Sequence, residues 1–179
     1  MIFPSKFIKA GSCTITSKTT TEQTKYGFVS QKGKRGDPHE WRIEFMTAKM
    51  YEEDIRELIA LIDSFDGRYE NFTLPCPLRF MSSNSSFSVS DDAFAGQNTI
   101  SVAGLNANTV GALKAGDFIK FDNHDKCYKI AFTTDSDAGG NATLQIYPRL
   151  FKDVSTGDTI TEAVFTCEMQ SDNNTSILD

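Results

Sequence analysis

The 179-residue sequence is poor in the residues that build metal and redox centres: two histidines and four cysteines, with no C-x-x-C pair. Cys13, Cys76, Cys127 and Cys167 are too widely spaced for a zinc ribbon or a redox dithiol, and are expected to be small buried apolar side chains. His39 and His124 have no second His or Cys at the close spacing of structural zinc sites, and although Cys127 follows closely on His124, nothing completes a set of four. No metal and no cofactor are expected.

A basic excess is also missing. Lys and Arg number 18 against 24 Asp and Glu, a net charge of −6. That balance excludes general phosphate neutralisation, so no nucleic-acid partner is expected. No run approaches the roughly 20 apolar residues of a membrane-crossing helix, and mean hydropathy is −0.33, so the chain is expected to be soluble with no membrane span. Pro4 and Lys6 interrupt the first residues before an apolar leader core can form, which predicts maturation in a cytosol.

Catalytic signatures are absent too. There is no G-x-S-x-G elbow, no P-loop and no G-x-G-x-x-G after a strand, so no catalytic or cofactor-binding residue is assigned and no enzyme is expected. Asp135-Ser136-Asp137-Ala138-Gly139-Gly140 resembles the opening of a calcium loop, but Ile146 occupies the place of its bidentate glutamate, which leaves a hairpin turn. His124, in the polar stretch 121–126, reads as a solvated loop histidine.

What the sequence does have is strand chemistry. Fourteen phenylalanines and many threonines and serines in short alternating stretches predict a mainly β (α+β) protein. The stretches 12–20 and 41–47 alternate as two strands of one sheet, with Trp41, Ile43 and Phe45 on one face, and Gln31–Pro38 reads as an exposed hairpin tip. One amphipathic helix is predicted over about 50–65, with Thr47 as N-cap and Asp66-Gly67 as its stop. Tyr51, Ile55, Leu58, Ile59 and Ile62 form its apolar face, and Glu52, Glu53 and Glu57 its polar one.

Strand alternation returns at 68–74, and the small polar stretch 81–86 reads as a connection. This divides the chain into an N-terminal β-sandwich or sheet domain (1–85), a small barrel domain (86–162) and a polar tail (170–179), with the strand at about 163–169 rejoining the first sheet. Five short strands are read in the barrel: 99–102, 117–121, 127–132, 142–147 and one opening at 159.

In that order, Trp41-Arg42-Ile43-Glu44-Phe45, the helix through Leu58–Ile62 and Asp66-Gly67-Arg68-Tyr69-Glu70-Asn71-Phe72-Thr73-Leu74-Pro75 resemble the first domain of the distal tail proteins of long-tailed bacteriophages. Ala115-Gly116-Asp117-Phe118-Ile119, Tyr128-Lys129-Ile130 and Ala142–Pro148 are similar to the OB-like barrel that follows in such proteins. The resemblance implies a virion structural protein made in the host cytoplasm and placed at the tail tip. It would form a ring, typically of six copies, between tail tube and baseplate hub, near the receptor-binding apparatus. Side fibres or a cell-surface glycan are further partners it allows. In such a ring the basic tip at Lys32, Lys34 and Arg35 would meet Glu52, Glu53 and Glu57 of the next copy. The rival expectation is a carbohydrate-binding OB-type module or adaptor, using Tyr128, Tyr147 and Phe132.

Overall fold

A computed structural model describes residues 1–9, 11–19, 22–26, 29–33, 39–65, 70–76 and 86–169, with 22–26 and 29–33 described as backbone only. Its strands are β1 (Thr14–Thr19), β2 (Glu22–Tyr26), β3 (Val29–Gly33), β4 (His39–Glu44), β5 (Phe72–Pro75), β6 (Ser86–Val89), β7 (Thr99–Ala103), β8 (Phe118–Phe121), β9 (Cys127–Ile130), β10 (Ala142–Tyr147), β11 (Thr159–Glu162) and β12 (Val164–Cys167). Among the described residues a single α-helix, α1, spans Glu52–Asp63, and a 3-10 turn spans Ser5–Phe7.

Strands β6 to β11 close into a small OB-like barrel in the order β10-β7-β6-β11-β8-β9, every neighbouring pair antiparallel. Closure leaves no free edge within this sheet. The strands number six where the sequence suggested five. The missed one is β6, whose Phe87 and Val89 point inward between serines, a short alternation adjoining the polar stretch read as a connection.

Strict alternation fills the barrel. Phe121, Tyr128, Ile130, Leu144, Val102 and Ile160 are all fully buried there, while Lys120 and Lys129 point outward between them. Loops 90–98, 122–126 and 148–158 gather at one end, where Ala93 pairs with Val154 and Gly96 N–H donates to Leu150 O at 2.8 Å. The other end is closed by loops 104–117 and 131–141, held where Leu105 N–H donates to Gly140 O at 3.0 Å.

The rest of the described chain forms three two-stranded ladders, β1-β4, β5-β12 and β2-β3. The β1-β4 pair is antiparallel, with Ser17 opposite Trp41 and Ile15 opposite Ile43. The β2-β3 ribbon lies between these two strands in sequence and sets Lys32 opposite Gln23, so Gln31–Gly33 is strand rather than hairpin tip. Residues 34–38 and the connection at 81–85 lie outside the described residues, as do Asp66-Gly67 and the tail 170–179. Strand β12 pairs antiparallel with β5, setting Phe165 opposite Leu74.

A second core gathers Phe3, Phe7, Leu58, Phe65, Phe72, Leu74 and Phe165. It also takes in Phe118 and Cys127, which point outward from β8 and β9. The barrel wall is therefore lined with apolar side chains on both faces, and the two cores share it.

The helix begins later than predicted. Its N-cap is Tyr51, without a side-chain cap bond, and Thr47 instead bridges Ile8. Glu52, Glu53 and Asp54 in the first turn complement the positive end of the helix.

Candidate interaction surfaces

The helix buries only part of its apolar arc. Leu58 and Phe65 are buried and Leu61 packs beside them. Tyr51, Ile55, Ile59 and Ile62 remain 86%, 43%, 53% and 38% exposed. At about 100° per residue these four form one stripe set roughly 80° around the helix from the buried side. The expected apolar face thus contributes Leu58 to the core and leaves its other members in solvent.

The acidic residues beside it are partly engaged within the chain. Glu52 pairs with Arg56 at 2.5 Å, one turn along the helix. Glu57 pairs with Lys6 at 2.5 Å, and Asp54 lies 3.4 Å from the same ammonium. The Glu57 hydrogen bond is the largest influence raising the Lys6 pKa above its ordinary value. Glu53 is exposed. Of their expected counterparts, Lys32 sits in β3 with its side chain outside the description, and Lys34 and Arg35 lie outside the described residues.

A third surface is the joint between the β1-β4 pair and the barrel. Trp41 Nε1–H donates to Cys127 O at 2.8 Å and its ring meets Phe118 edge-on at 5.0 Å. His39, 7% exposed, contacts Ser17 Oγ through Nε2 at 3.0 Å and the Tyr147 ring at 5.2 Å. The Ser17 and Thr19 hydroxyls reach Tyr147 OH at 3.2 and 3.0 Å, and Lys126 Nζ donates to His39 O at 3.2 Å. Neither Trp41 nor His39 was assigned this role from sequence. The available signal was polar and aromatic residues together on one strand face.

The barrel aromatics do not form a common platform. Of the three aromatics expected to bind a sugar, Tyr128 is fully buried, Tyr147 belongs to the joint, and Phe132 is exposed. His124 is also not simply a solvated loop residue. Its ring stacks on Phe121 at 5.6 Å, and Nε2 lies 2.7 Å from Tyr128 OH. Burial, then the Lys152 charge, hold its pKa below the ordinary histidine value.

The cysteines are less uniform than expected: Cys127 is buried, whereas Cys13, Cys76 and Cys167 are half-buried. Burial pushes the Cys127 thiol up to about 12 and the Cys167 thiol to about 11, which leaves both protonated at neutral pH. Cys13 and Cys76 line a shallow cleft of about 160 Å³ with Lys9 and Leu74. No group of three or more His, Cys, Asp or Glu among the described residues is placed to hold a metal ion. No helix among them is long and apolar enough to cross a membrane.

The barrel is the part of the chain that resembles a known family. Residues 79–165, which contain all six of its strands, match the family model described as distal tail protein pb9, B domain. This stretch is similar to the B domain of a distal tail protein. The match supports a structural role in a phage tail. The resemblance of the barrel phrases, from Ala115 to Pro148, falls inside the matched range. No curated protein matches the chain.

Proposed function

We propose that this distal tail protein assembles as a closed ring, of about six copies, at the tail tip of a long-tailed phage. The ring joins the tail tube to the baseplate hub and the receptor-binding apparatus, after synthesis in the host cytoplasm. The observation that carries this reading is the distal tail B-domain match over the barrel. The exposed stripe Tyr51-Ile55-Ile59-Ile62 supports it, because an apolar strip of this kind on an otherwise charged helix suits contact with another subunit. In this reading residues 1–85 build the ring and 86–162 stand on it as a separate barrel domain, with β12 returning to the first domain.

The function is geometric rather than chemical, and no catalytic residue is assigned. Lys32, Lys34 and Arg35 of one copy face Glu52, Glu53 and Glu57 of the next. A heterologous contact of this kind, repeated around an axis, closes a ring. The intrachain pairs Glu52–Arg56 and Glu57–Lys6 are exposed and contribute little on their own, so they are free to exchange partners.

Charge reversal tests the pairing. The double variant Lys34→Glu, Arg35→Glu is expected to fold normally, as judged by circular dichroism, and to shift to smaller species in light scattering. Unchanged assembly would remove this pairing from the account while leaving the ring itself standing.

The carbohydrate-binding alternative finds less support in the geometry, since Tyr128, Tyr147 and Phe132 occupy a core, a joint and a loop in turn.

A further inference from the structure

At the loop end of the barrel, 122–126 and 148–158 are tied by one directional chain of hydrogen bonds. Phe151 N–H donates to the Tyr128 hydroxyl at 3.0 Å, and that hydroxyl lies 2.7 Å from His124 Nε2. His124 Nδ1 meets Asn123 Oδ1, and Asn123 Nδ2–H donates to Asp153 O at 2.9 Å and to Asp158 Oδ2 at 2.8 Å. The direction is fixed at the Asn123 end. Its Nδ2 donates to Asp153 O and Asp158 Oδ2, so Oδ1 accepts from Nδ1–H, and in the neutral imidazole Nε2 is then the acceptor of the Tyr128 hydroxyl proton. The chain is complete only with a neutral imidazole.

We propose that His124 is an acid-opened latch: neutral, it holds the 149–153 loop against the barrel through Tyr128; protonated, it releases that loop around Phe151 and Lys152. A proton on Nε2 turns the acceptor into a donor aimed at the same phenol oxygen that receives Phe151 N–H. The Tyr128 proton must then turn away from Nε2, in the plane of its ring, towards the side from which Phe151 N–H donates, within a fully buried side chain.

The surrounding charges bear on the same outcome. Lys152 from the 148–158 loop and Lys120 from β8 oppose a positive ring, while Asp125 beside it and Asp158 before β11 favour one. Burial and Lys152 outweigh the carboxylates, and Lys120 is itself paired with Asp125 at 2.7 Å. Lys152 Nζ also donates to Asn123 O at 3.3 Å, and Lys126 sits 5.6 Å over the Phe151 ring. An imidazolium would therefore join a group of cations that already grips this loop. Phe121, stacked on the other side, brings no charge.

The sign of the pH effect follows. His124 is depressed in the folded state, so the unfolded chain binds the proton more tightly. The stability the latch contributes is complete above the ordinary histidine value of about 6.5 and is lost as pH falls towards the folded-state value.

Amide exchange on the full chain tests the latch, comparing about pH 7.5 with pH 5.5 after correction for the intrinsic pH dependence of exchange. In the natural sequence the Phe151 amide is expected to lose protection several-fold at the lower pH while β10 stays protected. In His124→Gln its protection is expected to be the same at both. Equal protection at both pH values in the natural sequence, or the same acid loss in His124→Gln, would overturn the proposal. Imidazole titration of the unsubstituted protein by NMR gives an independent reading: the latch requires the Phe151 amide to shift with the His124 midpoint, and separate midpoints would refute it.

Discussion

Tyr128 is the residue at which a local reading and the structure part most clearly. Taken alone, a tyrosine in a small barrel suggests a ligand platform. Its neighbours say otherwise, because Lys129 must point to solvent and strand alternation then sends Tyr128 and Ile130 into the core. Its hydroxyl partners, His124 and the Phe151 backbone, come from loops whose meeting no local pattern announces. Gly140 presents a constraint of the same kind. It adopts φ +74°, and a Cβ there would collide with the Leu105 carbonyl oxygen in the contact that closes the opposite barrel end. Gly116 also has a positive φ, +100°, but open space where its Cβ would lie. Gly140→Ala is therefore expected to cost at least about 2 kcal/mol, from left-handed strain and backbone collision together, and Gly116→Ala about 1 kcal/mol, from strain alone. Urea denaturation of the two variants checks the order; equal losses would contradict this account of Gly140.

At the scale of elements, the helix and most barrel strands were legible because each is governed by short-range periodicity. The helix was found within two residues at each end, and the pairing of β1 with β4 follows from two clean alternations. Two things were not legible. The β2-β3 ribbon has little apolar patterning, so nothing in its residues distinguishes strand from loop. The side of the helix that meets the core was misjudged because the apolar arc is wider than the contact it makes, and periodicity gives the arc but not the neighbour. Leu58 and Ile59 separate the two halves of that arc. Leu58→Ala is expected to cost about 2–4 kcal/mol by opening a cavity in the second core, and Ile59→Ala less than about 1 kcal/mol in a dissociated subunit. Thermal denaturation at low concentration measures both, and a large loss for Ile59→Ala would mean that the stripe packs within the chain.

For the molecule as a whole, the order of unlike units carried more information than any motif. A strand, helix and strand unit followed by a small barrel resembles distal tail proteins, and the family match over 79–165 supports that from the barrel side. The candidate site was less legible than the fold, since surfaces for assembly have no fixed chemistry. The cations proposed to meet Glu52, Glu53 and Glu57 were chosen by charge contrast alone. The structure adds what charge could not show: an apolar stripe beside those acids, and a joint through Trp41, Phe118 and Cys127 that fastens the β1-β4 pair to the barrel wall. Such a joint ties the β1-β4 pair to the outer face of β8 and β9.

The most direct test is the mass of the purified full-length protein by native mass spectrometry and light scattering across a dilution series. The account predicts a closed oligomer of about six copies, with no ladder of higher aggregates because a ring leaves no free end. A monomer at every concentration, unchanged when tail tube and hub proteins are added, would contradict it.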